Sequence, residues 1–133
     1  MALVLDASIA AAWCLPDEKS AAADAVQDSL IDDRAIAPRL FWYELRNFLV
    51  RQERRKRLLP LETLKFLAEI EEMPIRFEEP ESTHVLTLAR TYGLTVYDAS
   101  YLSLAASHRM PLATLDRALA AAARRAGVAL FAA

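Results

Sequence analysis

Five short apolar runs set the terms on which this chain can fold. They are Ala2 to Leu5, Arg34 to Ala37, Ile75 to Phe77, Pro111 to Leu115 and Val128 to Phe131, and helix-length stretches separate them. Brief apolar strands alternating with helices pair in parallel through right-handed crossovers, which places helices on both faces of the sheet. The expected architecture is therefore a three-layer α/β/α fold around a parallel five-stranded sheet. With strands one to three wound one way and strands four and five the other, the strand order is 3-2-1-4-5. The 133 residues are expected to make a single domain.

The helices are punctuated by their own chemistry. Ser8 to Leu15 is Ala-rich and ends at Pro16, and Asp17 is expected to cap a second helix through Leu30. Pro38 and Pro60 each open a helix, running through Lys56 and to just before Pro74, because proline suits the first turn. Pro80 opens another through Tyr92, with Gly93 as its C-cap. Leu94 to Tyr97 reads as an approach to a helix over Asp98 to His108. Asp116 is expected to cap a last helix through Arg125, closed by Gly127.

Composition excludes several classes. With 55% hydrophobic residues the chain buries too much apolar side chain to be disordered. The single cysteine, Cys14, rules out an internal disulfide scaffold and reads as a small core residue. No run approaches the roughly 20 apolar residues of a bilayer span. Ile9 to Leu15 lacks a basic leader, so no signal peptide is expected, and the protein reads as soluble and cytoplasmic. The formal net charge of −2 argues against a nucleic-acid partner, but its distribution argues otherwise: residues 34–57 carry +6, between segments of −6 and −5.

Most of the eighteen carboxylates lie where solvent would accept them; four do not. Asp6 and Asp116 directly follow apolar strands. Glu44 shares a helical stripe with Phe41 and Phe48, and Asp98 lies at i−4 and i−7 from Leu102 and Ala105. Each has an ordinary explanation, as a helix cap for the three aspartates and as a partly buried partner of Arg46 or of an arginine from elsewhere for Glu44. All four explanations must hold together, and the topology works against that. Strand order 3-2-1-4-5 puts the switch point between strands one and four, where open α/β sheets bind ligands. Asp6 and Asp116 flank that crevice, and the helices of Glu44 and Asp98 pack over the same edge.

Two ionised carboxylates about 4 Å apart repel by about 4 kcal/mol at an effective dielectric near 20. Four together approach the whole stability of a small domain, roughly 5–15 kcal/mol. Either some are protonated or a cation sits among them. With only oxygen donors present, that cation should be hard, Mg²⁺ or Mn²⁺ rather than Zn²⁺.

The stretches Leu3-Val4-Leu5-Asp6-Ala7-Ser8, Tyr43-Glu44-Leu45, Thr95-Val96-Tyr97-Asp98-Ala99-Ser100-Tyr101-Leu102 and Leu112-Ala113-Thr114-Leu115-Asp116 resemble the PIN domain. More narrowly, they resemble the VapC-type toxins of bacterial toxin–antitoxin pairs. The likeness runs from Leu3 to about Gly127. It implies an endoribonuclease dependent on Mg²⁺ or Mn²⁺, inhibited by a small cognate antitoxin and homodimeric. The family's four acids fall on Asp6, Glu44, Asp98 and Asp116, which would be both catalytic and metal-binding. Its supporting hydroxyls fall on Ser8 and Thr114, and the role of Ser100 stays open.

An acidic centre needs positive charge around it to attract RNA. Arg51, Arg54, Arg55, Lys56 and Arg57 at the end of the Glu44 helix, with Arg39 and Arg46, form the candidate phosphate track. Trp13, Phe41, Trp42, Tyr43 and Phe48 exceed what one helix face buries, so some are available for a dimer contact or an antitoxin groove. His84 and His108 read as surface residues without a catalytic role. A receiver-type phosphoacceptor is disfavoured because no Lys follows the last strand, and a DxD phosphatase because Ser8 holds the second Asp position. A catalytically inactive PIN-like interaction domain is the alternative from another class.

Overall fold

The computed structural model describes residues 2–17 and 20–131. The chain order is β1 (Leu3–Leu5), α1 (Ala7–Cys14), α2 (Ala21–Ser29), β2 (Ala35–Ala37), α3 (Leu40–Arg54) and α4 (Pro60–Glu71), then β3 (Ile75–Phe77), α5 (Ser82–Tyr92), α6 (Val96–His108), β4 (Leu112–Ala113) and α7 (Arg117–Arg125). All strand pairings are parallel, in the order β3-β2-β1-β4. Val4 pairs with Ile36 on one side and Leu112 on the other, so β1 is central.

Period-two alternation divides the strands between two cores. Leu3, Leu5, Ala35, Ala37 and Ala113 pack against α1, α2, α3 and α4 through Ile9, Val26, Phe41, Leu45 and Ile70. Val4, Ile36 and Leu112 face the opposite way, against Tyr101, Leu102 and Leu104 of α6 and Leu119 of α7. This is the three-layer arrangement the alternating pattern implies. None of the described helices is long and apolar enough to cross a membrane.

The expected fifth strand is reduced to a single parallel bridge between Leu130 and Leu112. Leu112 N–H donates to Ala129 C=O and Phe131 N–H to Leu112 C=O, so the segment lies at the expected edge. It has nothing longer to pair with, because β4 spans two residues before Thr114 turns towards Asp6.

Several boundaries differ from the sequence reading, among them the starts of α3 and α5, which fall at Leu40 and Ser82 rather than at Pro38 and Pro80. Ser20 caps α2, its hydroxyl accepting from Ala23 N–H at 3.1 Å, while Asp17 pairs with Arg57. Glu18 and Lys19, expected to begin the helix capped by Asp17, lie outside the described residues. Leu94 to Tyr97 is not all approach: Thr95 caps α6, which begins at Val96. Lys56, expected to end the long helix, adopts positive φ beyond its last turn at Arg54. Gly93 does supply a left-handed cap, at φ 64°.

The buried stripe of α3 is the keel of the larger core. Leu45, fully buried there, is expected to lose about 3 kcal/mol of unfolding free energy on replacement by Ala. Leu61→Ala, at a side chain 79% exposed on α4, should change stability by no more than about 0.5 kcal/mol. Urea denaturation midpoints of the two variants check this.

Candidate active site

Parallel pairing brings every strand end to one edge, and β1 and β4 part company there. An open cleft of about 400 Å³ occupies the gap. Asp6, Glu44, Asp98 and Asp116 all line it, with Ser8, Phe48 and Arg51. Four segments far apart in the chain supply these acids: the end of β1, the middle of α3, the first turn of α6 and the start of α7.

Asp6 is the most enclosed, and it sits at the hub of a hydroxyl network. Thr114 donates to its Oδ2 at 2.8 Å, and Ser8 donates to the same oxygen. Ser8 Oγ in turn accepts from Leu115 N–H at 2.9 Å, and Thr114 Oγ1 accepts from Asp116 N–H at 3.0 Å. The two hydroxyls therefore tie α1 to the turn after β4, across the switch point. Although Asp6 stands at the N-cap position of α1, its side chain makes no capping bond.

The other aspartates divide the same way. Asp116 does cap, its Oδ1 accepting from Leu119 N–H at 2.9 Å. Asp98 does not: it lies one turn inside α6, and its own N–H is taken by the Thr95 hydroxyl. Of three aspartates with a cap reading, only Asp116 makes the bond, and it spends one oxygen on it.

Among the described residues Glu44 pairs with no arginine. Its Oε1 accepts a 2.7 Å hydrogen bond from Tyr101 Oη, a fully buried side chain of α6. This contact joins two helices on opposite faces of the sheet and fixes the Glu44 carboxylate at the cleft. Tyr101 is absent from the sequence-derived set. Its position at i+3 from Asp98 on the same helix was the available signal, but an apolar ring among Leu102 and Leu104 reads as core.

Electrostatics follow from this crowding. Burial pushes the Asp6 carboxyl above its ordinary range, against the opposing pull of the Ser8 and Thr114 hydroxyls. Burial also raises Glu44, with Asp6, Asp98 and Asp116 adding to the effect and the Tyr101 bond opposing it. Asp98 is raised to about 6 by burial and by the charges of Asp116 and Asp6. Tyr101 is raised as well, chiefly by burial, so its hydroxyl keeps its proton and remains a donor.

Among the described residues no three acidic, His or Cys side chains stand ready-assembled around one point as a metal site. The donor set nevertheless suits a hard cation. Glu44 Oε2, Asp116 Oδ2 and both Asp98 oxygens have no hydrogen-bond donor among the described residues, and all open on the cleft.

The arginines scatter. Among the described residues Arg51 is the only basic side chain lining the cleft. Arg39 and Arg46 line a separate small hollow with Trp42, Tyr43 and Phe77, and Arg46 stacks on aromatic rings instead of pairing with an acid. Arg54 lines a third depression beside Glu53 and Glu62. Arg55 is exposed. Two further expectations fail: His84 is half-buried, its Nδ1 2.7 Å from Ser103 Oγ, and His108 is half-buried against Glu78. Ser100 is buried and donates to Val96 C=O within α6, which leaves it no part in the cleft's network.

Known proteins place this arrangement. The PIN domain profile matches residues 3–125. Ribonuclease VapC3 of Pyrobaculum aerophilum is 36% identical over 124 residues, covering 90% of this chain and 93% of that protein. The crystal structure of PAE2754 from Pyrobaculum aerophilum superposes with a TM-score of 0.65 at 30% identity, covering 92% of this chain and 87% of the other. With the profile spanning nearly the whole chain and a relative this similar over nine-tenths of it, the protein belongs to the PIN domain family.

Proposed function

We propose that this chain is a metal-dependent endoribonuclease that hydrolyses RNA phosphodiesters, and that it serves as the toxin of a toxin–antitoxin pair in the cytoplasm. One observation carries the reading: four carboxylates from four separate segments line one cleft in which, among the described residues, the only base is Arg51. The similarity to Ribonuclease VapC3 supports the ribonuclease reading; the toxin role, a small antitoxin and a second copy of the chain as partners are what the resemblance to VapC-type toxins implies.

Asp6, Asp98, Asp116 and Glu44 would hold Mg²⁺ or Mn²⁺. When bound there, the ion supplies Lewis-acid polarisation of the phosphodiester and a lowered pKa for the attacking water. The chain's own groups do the positioning. Ser8 and Thr114 fix the Asp6 carboxylate by two hydrogen bonds to one oxygen, leaving the other to turn into the cleft. Tyr101 holds one Glu44 oxygen, so the second is free to orient a water and take its proton. Arg51 neutralises a phosphate oxygen of the incoming strand. The first turns of α1 and α6 add the positive ends of their dipoles at the same place.

Asp98→Asn keeps the side chain's shape and removes one charge. It is expected to abolish cleavage of single-stranded RNA while raising the melting temperature of the metal-free protein by a few degrees. A thermal melt with and without millimolar Mg²⁺ gives the complementary readout. The parent should melt higher with metal, and Asp98→Asn should show little or no shift. RNA cut at the parental rate by Asp98→Asn would sink the nuclease assignment, and a parent indifferent to Mg²⁺ would favour the inactive interaction domain.

The pH dependence has a definite sign. Asp98 holds its proton more tightly in the fold, to about pH 6, than in the unfolded chain. Its contribution to stability is complete below the ordinary carboxylate range and is lost as pH rises through about 6. Asp6 and Glu44 shift in the same direction. The metal-free protein should therefore melt lower at about pH 7.5 than at about pH 5, and the stabilisation by Mg²⁺ should be larger at the higher pH. Calorimetric scans at the two values, with chelator and with Mg²⁺, test this.

Tyr101→Phe removes only the hydroxyl that holds Glu44. Cleavage should fall and the Mg²⁺ concentration for half-maximal rate should rise by about tenfold, with KM for RNA near the parental value. A metal titration of the initial rate measures both.

A further inference from the structure

An acidic cleft with a single arginine leaves a polyanionic strand poorly held. Anchorage has to come from beside the cleft, and α3 offers it. Its residues alternate in purpose: Phe41, Leu45 and Leu49 face the core, Glu44, Phe48 and Arg51 face the cleft, and Tyr43 and Arg46 point outward. Arg39, Trp42, Tyr43, Arg46 and Phe77 enclose a hollow of about 160 Å³.

The chemistry of this hollow is specific. The Arg46 guanidinium lies 5.7 Å from the Trp42 ring centroid and 5.6 Å from that of Tyr43. Trp42 is seated from behind by Phe41 and Phe77, with centroids 5.5 Å away in both cases, so its ring is held in place. Tyr43 is 69% exposed, with no partner for its hydroxyl among the described residues. The side chains of Arg39 and Arg46 form no ion pair among the described residues. The one nearby acid, Glu79, accepts from the Arg39 backbone N–H at 3.2 Å. Two unpaired guanidiniums beside fixed and exposed aromatic rings match an unpaired base with its phosphate: rings stack on any base, and arginine serves both ring and phosphate. Tyr43 is also the chain neighbour of Glu44, so a strand leaving the cleft over α3 meets the hollow within a nucleotide or two.

We propose that Arg39, Trp42, Tyr43 and Arg46 form a stacking subsite for an unpaired nucleotide flanking the scissile phosphate, a reading that rests on the nuclease assignment above. The subsite selects single strands, because a paired base presents no free face to Tyr43. It adds affinity rather than chemistry.

The experiment uses Tyr43→Ala and Arg46→Gln, both at exposed positions, with Arg90→Gln on α5 as a control that removes the same charge elsewhere. Each is placed in the parent protein for cleavage kinetics and in the Asp98→Asn background, with Mg²⁺, for binding of a labelled single-stranded RNA of mixed sequence. Tyr43→Ala should raise KM and weaken binding by about tenfold or more, with kcat near the parental value. Arg46→Gln should also weaken binding and reduce the slope of log affinity against log salt by about 0.7, one phosphate contact on a single strand. Arg90→Gln should change neither. Unchanged KM and affinity in both subsite variants, in a parent that cuts RNA, overturn the subsite alone. Equal losses on double-stranded RNA, or a changed association state with RNA affinity intact, also overturn it. A parent that cuts no RNA defeats the nuclease reading instead, and the titration in the Asp98→Asn background then decides the subsite by itself.

Discussion

Like charges brought together inside a fold must be held there by something stronger than their repulsion. In this protein the holding begins at Asp6, the most buried of the four acids, at the end of the central strand. Backbone pairing fixes that strand end: Asp6 N–H donates to Ala113 C=O at 3.0 Å, so the carboxylate cannot retreat without breaking the β1–β4 ladder. Ser8 and Thr114 then supply two donors to one oxygen. Two neutral hydroxyls lower the cost of burying the charge without cancelling it, as an arginine would. Neighbours that solvate a carboxylate and leave it negative are what a cation site requires.

The same logic governs Glu44. A carboxylate paired with Arg46 would be stable and inert. Arg46 is instead occupied by two aromatic rings, and Glu44 is held by a phenol whose proton does not leave at any ordinary pH. The contact also spans the sheet, from α3 on one face to α6 on the other. Any loosening of Tyr101 in its core would displace an acid in the cleft, so stability and site geometry are coupled through one hydroxyl.

The chain pattern made the layered fold legible because strands and helices differ in period and length, and both survive in a single sequence. The grouping of the four acids at one edge was legible for a related reason: topology converts strand order into proximity. What stayed hidden depends on side-chain direction. Asp17 and Ser20 are both competent caps, and only the backbone angle at Ser20 decides between them. The last strand fails to extend because Thr114 turns inward directly after the two residues of β4, which hydrophobicity does not encode. Tyr101 looks like core and is core; that its hydroxyl surfaces at Glu44 depends on how α6 is rotated. The arginines were read as one track because they are close in sequence, but a helix distributes near neighbours to different faces, and they part among three depressions.

That division between faces bears on what the surface beside the cleft can tolerate. The acids ride on a strand end, on helical first turns and on a helix whose inner stripe is locked in the core, so their positions follow from packing. Arg54 and Arg55 ride at the exposed end of α3, and Arg39, also exposed, at its start. Exchanging an exposed basic or aromatic residue there costs little stability. Single substitutions on the outer face of α3 can therefore change the surface beside the cleft, while the carboxylate cluster, one helical face away, stays fixed by the two cores that meet around the sheet.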